Sequence, residues 1–279
     1  LHYRIIFSDN GTLNDLSINL NNYHSGTGAI GFVSADDYLY IGSRYPFNSF
    51  YVAFGTANTQ ASTLSIDYWD GNTWRESVDV VDQTDGFKQD GLITFVPDKG
   101  KSGWSREDTV NRSGTEQVTG LGDVTIYDQY WLRLSVSADM DAGTTLKWLK
   151  YKFIIDDELY SEYPIFNSSD VKTSFESGKT DWEEQVVVGS GLVVDELIRR
   201  GTIESGNQLL DYSKLKSPCV PKVAELIFNS FGDDYNDDRL KARDLFKERI
   251  GNKSFNIDLN NNATLDNQEL GFRSGYFWQ

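Results

Sequence analysis

A single cysteine, Cys219, occurs in the 279 residues. No intramolecular disulfide can form and no multi-cysteine metal site can be built, which leaves the thiol as a small buried hydrophobe. Histidine is almost as scarce, with only His2 and His24 near the N-terminus. That excludes a histidine-rich zinc centre, and a Ser-His-Asp triad would have to borrow one of the two. Cations are outnumbered as well. The chain carries 26 Lys and Arg against 42 Asp and Glu, a formal net charge of −16 and a pI of about 4.5. Such a chain repels phosphates, which disfavours sequence-independent gripping of nucleic acid, although it can surround DNA without holding it. No apolar run reaches the ~20 residues that a membrane span requires. The opening LHYRIIFSDN lacks the long apolar core of a signal peptide, and Leu1 in place of methionine implies a missing start.

Apolar side chains make up 39% of the chain and aromatic ones 14%, enough to build packed cores. The length is comfortable for two domains, and the residue patterns divide accordingly. Up to about Phe153, segments such as DDYLYIGS, FNSFYVAF, STLSIDYW, GLITFVP, YWLRLSVSA and LKWLKYKFII alternate polar with apolar residues. Gly, Asn and Asp punctuate them, the pattern of short antiparallel strands. Residues 99–123 are polar and Gly-rich and read as a long loop. After Pro164 the period becomes helical. Thr180 and Glu183 predict a capping box opening a helix that Gly201 ends. Gly189 and Gly191 inside that helix cost about 1 kcal/mol each relative to Ala, which implies close packing or a bend. A second helix is predicted from Ser217 as N-cap with Pro218 at its first position, and a third over Asp237–Ile250. The predicted fold is α+β in two domains. An antiparallel, jelly-roll-like β-sandwich spans residues 1–160, and a small helical bundle with an extended C-terminal tail spans 161–279.

Near the C-terminus, Asp258, Asn260, Asn262, Thr264, Asp266 and Glu269 fall on the ligand rhythm of a calcium loop. Ala263 stands where that loop demands glycine with positive φ, and two of the ligands are Asn. The preceding KSFNIDL reads as a strand instead of a helix. An ordered Asx-rich turn is therefore expected, with no cofactor, calcium being the one candidate. Adjacent carboxylates such as Asp36–Asp37, Asp156–Asp157 and Glu183–Glu184 read as solvated surface in so acidic a chain. Nothing marks one as a general acid or base, and no enzyme is predicted.

In the β half, YWDGNTW, DQTDG, GLITF and YWLR follow in order, with Arg133 expected to pair with a carboxylate at the sandwich edge. Over about residues 36–155 these motifs resemble a β-sandwich module of virion structural and baseplate-type proteins of tailed phages. From about Ser169 onward the chain resembles the head–tail connector, or adaptor, proteins of the phage neck. The resemblance rests on SSDVKTSF, VVDELIRRG, PKVAELIFNSFG, the charged DDRLKARDLFKERI, and an Asp/Asn-rich stretch followed by Arg273. It implies a virion protein assembled in the host cytoplasm, joining portal to tail as a ring of about twelve copies around the DNA channel. The implied partners are further copies, the portal and tail or neck proteins. DNA passes without specific binding, and no membrane is involved. Phe272, Arg273, Tyr276, Phe277 and Trp278, in a terminus of unusual aromatic content, are the expected partner-binding residues. The alternative is a secreted carbohydrate-binding sandwich presenting Trp69, Trp74, Trp104 and Trp131, with a calcium-loop docking domain.

Overall fold

Asn10 and Gly11 have φ of 46° and 83°, the pair of positive values that a two-residue hairpin turn requires. They join β1 (Arg4–Asp9) to β2 (Thr12–Asp15). The computed structural model describes residues 3–33, 36–98, 103–107, 118–122 and 128–273. A short helix α1 (Ser17–Leu20) follows the hairpin, then β3 (Gly28–Ala29), β4 (Tyr38–Ser43), β5 (Ser49–Thr56) and β6 (Leu64–Trp69). The strands continue with β7 (Trp74–Glu76), β8 (Val78–Asp82), β9 (Gly91–Val96), β10 (Tyr130–Val136) and β11 (Thr145–Lys150). They form two antiparallel sheets, one in the order β2-β1-β4-β10-β6-β7 and one in the order β3-β11-β5-β9-β8.

Apart from the hairpins β1–β2, β6–β7 and β8–β9, successive strands cross between sheets, and the pairs β4·β10 and β5·β9 are nested, so the chain is rolled up in the jelly-roll manner. Alternation explains the core. Leu39, Ile41, Ile66, Leu132 and Leu134 point inward from one sheet and meet Phe50, Val52, Ile93 and Phe95 from the other. Each such side chain contributes about 1.5–3 kcal/mol when fully buried. The opposite face of the six-stranded sheet carries a second cluster of Ile6, Tyr40, Trp69, Val118, Leu121 and Trp131. Contacts divide the chain into two units: Leu1–Lys150 with Asn260–Thr264, and Tyr151–Leu259 with Leu265–Gln279.

The second unit contains α2 (Asp156–Glu162), α3 (Ser169–Phe175), α4 (Glu183–Arg199), α5 (Lys216–Ser230) and α6 (Asn236–Asn252). Strands β12 (Ser254–Phe255) and β13 (Phe272–Arg273) pair antiparallel. Two predicted helix starts are corrected. Thr180 donates its hydroxyl to Asp181, whose Oδ1 accepts the Glu183 N–H at 3.2 Å, and the residue at the N-cap is Trp182, two positions after Thr180. At α5, Ser217 and Pro218 are the second and third helical residues. The preceding turn, Tyr212–Leu215, is capped by Asp211 and runs straight into the helix, which moves its start upstream. Pro221 lies inside α5 and offers no N–H to the Ser217 carbonyl four residues back. Arg249 Nη1 of α6 supplies the missing donor at 2.9 Å.

The two helical glycines of α4 differ. A Cβ on Gly189 would lie 2.5 Å from Val223 Cγ2, so helices α4 and α5 cross where glycine lets them approach. A Cβ on Gly191 would meet nothing within 4 Å. Gly191→Ala should therefore stabilise by up to about 1 kcal/mol through helix propensity alone. Gly189→Ala should lose about 1–3 kcal/mol to overpacking, which outweighs the same gain. Thermal melts of the two variants should move in opposite directions. Among the described residues, no helix is long and apolar enough to cross a membrane.

Candidate functional site

The loop at Asp258–Glu269 is ordered by its own side chains. Asn262 Oδ1 accepts both the N–H and the hydroxyl of Thr264, at 2.7 and 2.6 Å, which is an Asx turn. Glu269 is buried, and its two carboxylate oxygens accept the N–H groups of Leu259 (2.8 Å) and Asp266 (2.9 Å). Ala263 does adopt the left-handed conformation, with φ of 58°. It is fully buried in the sandwich core, and that packing offsets a strain of about 1–2 kcal/mol. Asn260, Asn262 and Thr264 count with the first unit, and Asp258, Asp266 and Glu269 with the second. Among the described residues, no group of three or more His, Cys, Asp or Glu is placed to hold a metal ion.

Of the predicted terminal residues, Phe272 and Arg273 form β13, opposite Phe255 and Ser254. Tyr276, Phe277 and Trp278 lie outside the described residues. The four tryptophans of a sugar platform are placed differently. Trp69, Trp104 and Trp131 are buried, and Trp104 Nε1 donates to the Trp131 carbonyl at 2.9 Å. Trp74 is half-buried, and its Nε1 donates to the Thr119 carbonyl at 2.8 Å. Arg133 does not lie at a sheet edge, because β10 is flanked by β4 and β6. It pairs with Asp67, its register partner on β6, at 2.5 Å, and lies over the rings of Tyr38 and Trp74 at 4.5 and 4.9 Å. The pair locks the outer sheet face.

Cys219 is fully buried, and burial pushes its thiol up to about 12, so it packs and does not react. Nearby, Ser190 accepts the Phe153 N–H at 3.1 Å and donates to the Val186 carbonyl at 2.8 Å. At the end of α4, Glu196 bonds both Arg199 and Arg200. The Arg199 hydrogen bond, aided by Arg200 against the opposing effect of burial, holds its carboxyl below the usual range. That contribution is full above the unfolded carboxylate pKa and is lost as pH falls through the depressed one.

Sequence reasoning singled out Gly191 without recognising the surface around it. Val188, Asp195 and Ile198 are exposed along α4, at spacings of seven and three residues that bring them to neighbouring faces with Gly191. Helix α6 buries only Ala242, Phe246 and Ile250 and leaves most of its charged residues in water. Both are surfaces on which a helix can be met by another chain. A scan against protein-family models finds no match, and none of the curated proteins matches the chain.

Proposed function

We propose that the chain is a head–tail connector subunit of a tailed phage, a structural virion protein that joins portal to tail. The observation that supports this best is the open side of α4. A mid-helix glycine costs about 1 kcal/mol, and Val223 gives a reason for it at Gly189, whereas among the described residues a Cβ on Gly191 would meet nothing within 4 Å. A neighbouring copy packed against Val188, Gly191 and Ile198 supplies the reason, and head-to-tail repetition of one contact closes a ring. The element order of the helical unit, α3 from Ser169, α4 ending at Arg199, α5, then the charged α6, agrees with the connector resemblance. The charge of −16 suits a channel wall that repels phosphates and lets DNA slide. The β-sandwich adds lateral contacts to neighbours or to the capsid.

The aromatic tail then anchors the portal. Deleting residues 274–279 leaves β13 in place to pair with β12. The truncated chain should keep its melting temperature and lose binding to the portal of the same phage, read by co-sedimentation. Portal binding at full strength without these residues contradicts the assignment.

A further inference from the structure

The six-stranded sheet is incomplete at one side. Strand β7 covers β6 only from Asp67 to Trp69, opposite Glu76, Arg75 and Trp74. At Ser77, whose N–H donates to the Ile66 carbonyl at 2.8 Å, the chain leaves for β8 in the other sheet. Among the described residues, the start of β6 therefore has β10 on one side and no strand on the other. Antiparallel pairing fixes which backbone groups face each way. Thr63 bonds toward β10, through Ser137, so Leu64 and Ile66 turn their N–H and C=O groups to the other side, where Ser77 takes the Ile66 carbonyl and, among the described residues, nothing is paired with Leu64. Among the described residues, no hydrogen bond takes up the N–H or C=O of Leu64.

A groove of about 530 Å³ opens there, walled by Leu64 and Ile66 on one side and by Val80 of β8 on the other. Ser77 lines it. This residue is 6% exposed, and its hydroxyl oxygen is buried without a hydrogen-bond partner among the described residues. An orphaned buried hydroxyl is costly, and a ligand bearing N–H or C=O groups would satisfy it. Glu76 and Asp85 line the groove and give it a negative rim. Asp85 also meets Lys88 at 3.1 Å, and Asp82 is occupied by the N–H groups of Thr84 and Gly86.

We propose that this groove takes an extended, basic segment of a partner protein, which adds as a strand to the uncovered half of β6. The N–H and C=O of Leu64 and the N–H of Ile66 supply the ladder, the Ser77 hydroxyl closes one further hydrogen bond, and Glu76 and Asp85 select lysine or arginine side chains. The inference rests on the sandwich alone and stands apart from the connector reading.

The test titrates the ¹⁵N-labelled full chain with an acetylated, amidated peptide of alternating lysine and valine. Amide shifts should saturate and cluster at Leu64, Ile66, Ser77 and Val80. The same peptide methylated on alternate backbone nitrogens, which cannot extend a ladder, should not bind. The double variant Glu76→Gln, Asp85→Asn, at exposed positions where folding is not at risk, should weaken the lysine peptide by about fivefold, the scale of exposed ion pairs. Absence of saturable shifts, equal binding of a glutamate–valine peptide, or undiminished binding of the methylated peptide would each overturn the proposal. So would shifts at these amides from cellohexaose in place of the peptide, which would make the groove a sugar site.

Discussion

Trp182→Ala should remove most of the stability of the helical unit. The indole is fully buried, with its ring centroid 5.6 Å from that of Phe166 and 5.1 Å from that of Phe175. Its Nε1 donates to the Phe166 carbonyl at 2.8 Å, and the backbone N–H just before α4 donates to Asp156 at 3.0 Å. Truncating a buried tryptophan costs about 3–5 kcal/mol, and the stranded carbonyl adds about 1–3 kcal/mol. Against a typical domain stability of about 5–15 kcal/mol, the sum leaves little. Trp182→Phe keeps a ring and drops the donor, and should cost only the smaller part. Urea melts followed by far-UV circular dichroism read both variants. A loss below about 1 kcal/mol for the alanine variant would show that the cluster does not hold α3 and α4 together.

In the sandwich, Gly86→Ala should be the most damaging of the small substitutions. Gly86 has φ of 67° in the DQTDG turn, where Asp82 Oδ2 accepts its N–H at 2.9 Å. Its carbonyl accepts from Asn58 and Ser62, so the backbone is held from both sides. A Cβ there would fall well inside van der Waals contact with the Ser62 carbonyl oxygen, which is backbone and cannot rotate away. Left-handed strain of about 1–2 kcal/mol and overpacking of about 1–3 kcal/mol act together. Gly11 separates the two effects, because its φ is 83° but a Cβ would meet nothing within 4 Å. Gly11→Ala should therefore lose only the conformational part. Equal losses at the two positions would contradict the role of the Ser62 contact.

Much of the sandwich could be read in advance because a strand with one buried face must alternate. Segments such as YLYIGS and LITF say which side is inward before any partner is known. The two-sheet arrangement and the helices after it follow from the same periodicities. The first hairpin was less visible, although its Asn-Gly turn stands in the sequence, because Arg4–Asp9 is too continuously apolar for a simple alternation. Helix α2 was hidden in an acidic run, where Glu158 reaches back to the Ile155 N–H at 3.0 Å. The helix starts differ from the cap pattern because Asp181 engages both the Thr180 hydroxyl and the Glu183 N–H, leaving Trp182 at the N-cap, and because the Asp211-capped turn runs into α5 ahead of Ser217. No local pattern reveals that Arg249 rescues the Ser217 carbonyl, since the two are brought together only by the packing of α5 on α6.

The candidate surfaces were legible in a different measure. The Asx turn at Asn262 is legible in the string of Asx side chains, whereas the positive φ of Ala263 is not, because burial in the core holds an alanine where a loop would ordinarily need glycine. Arg133 was expected to find a carboxylate, but its partner Asp67 lies across an inner strand pair, which only the register discloses. The uncovered half of β6 could not be read at all. It arises from where β7 stops, a property of pairing and not of any one residue.

Negative-stain microscopy of the purified chain, alone and mixed with the portal of the same phage, tests the connector reading most directly. The predicted image is a closed ring with a central channel, free or seated on the portal, and Gly191→Gln should leave the chain folded while dispersing the ring. A chain that stays monomeric with the portal present, and is instead retained on a polysaccharide matrix, would contradict the reading.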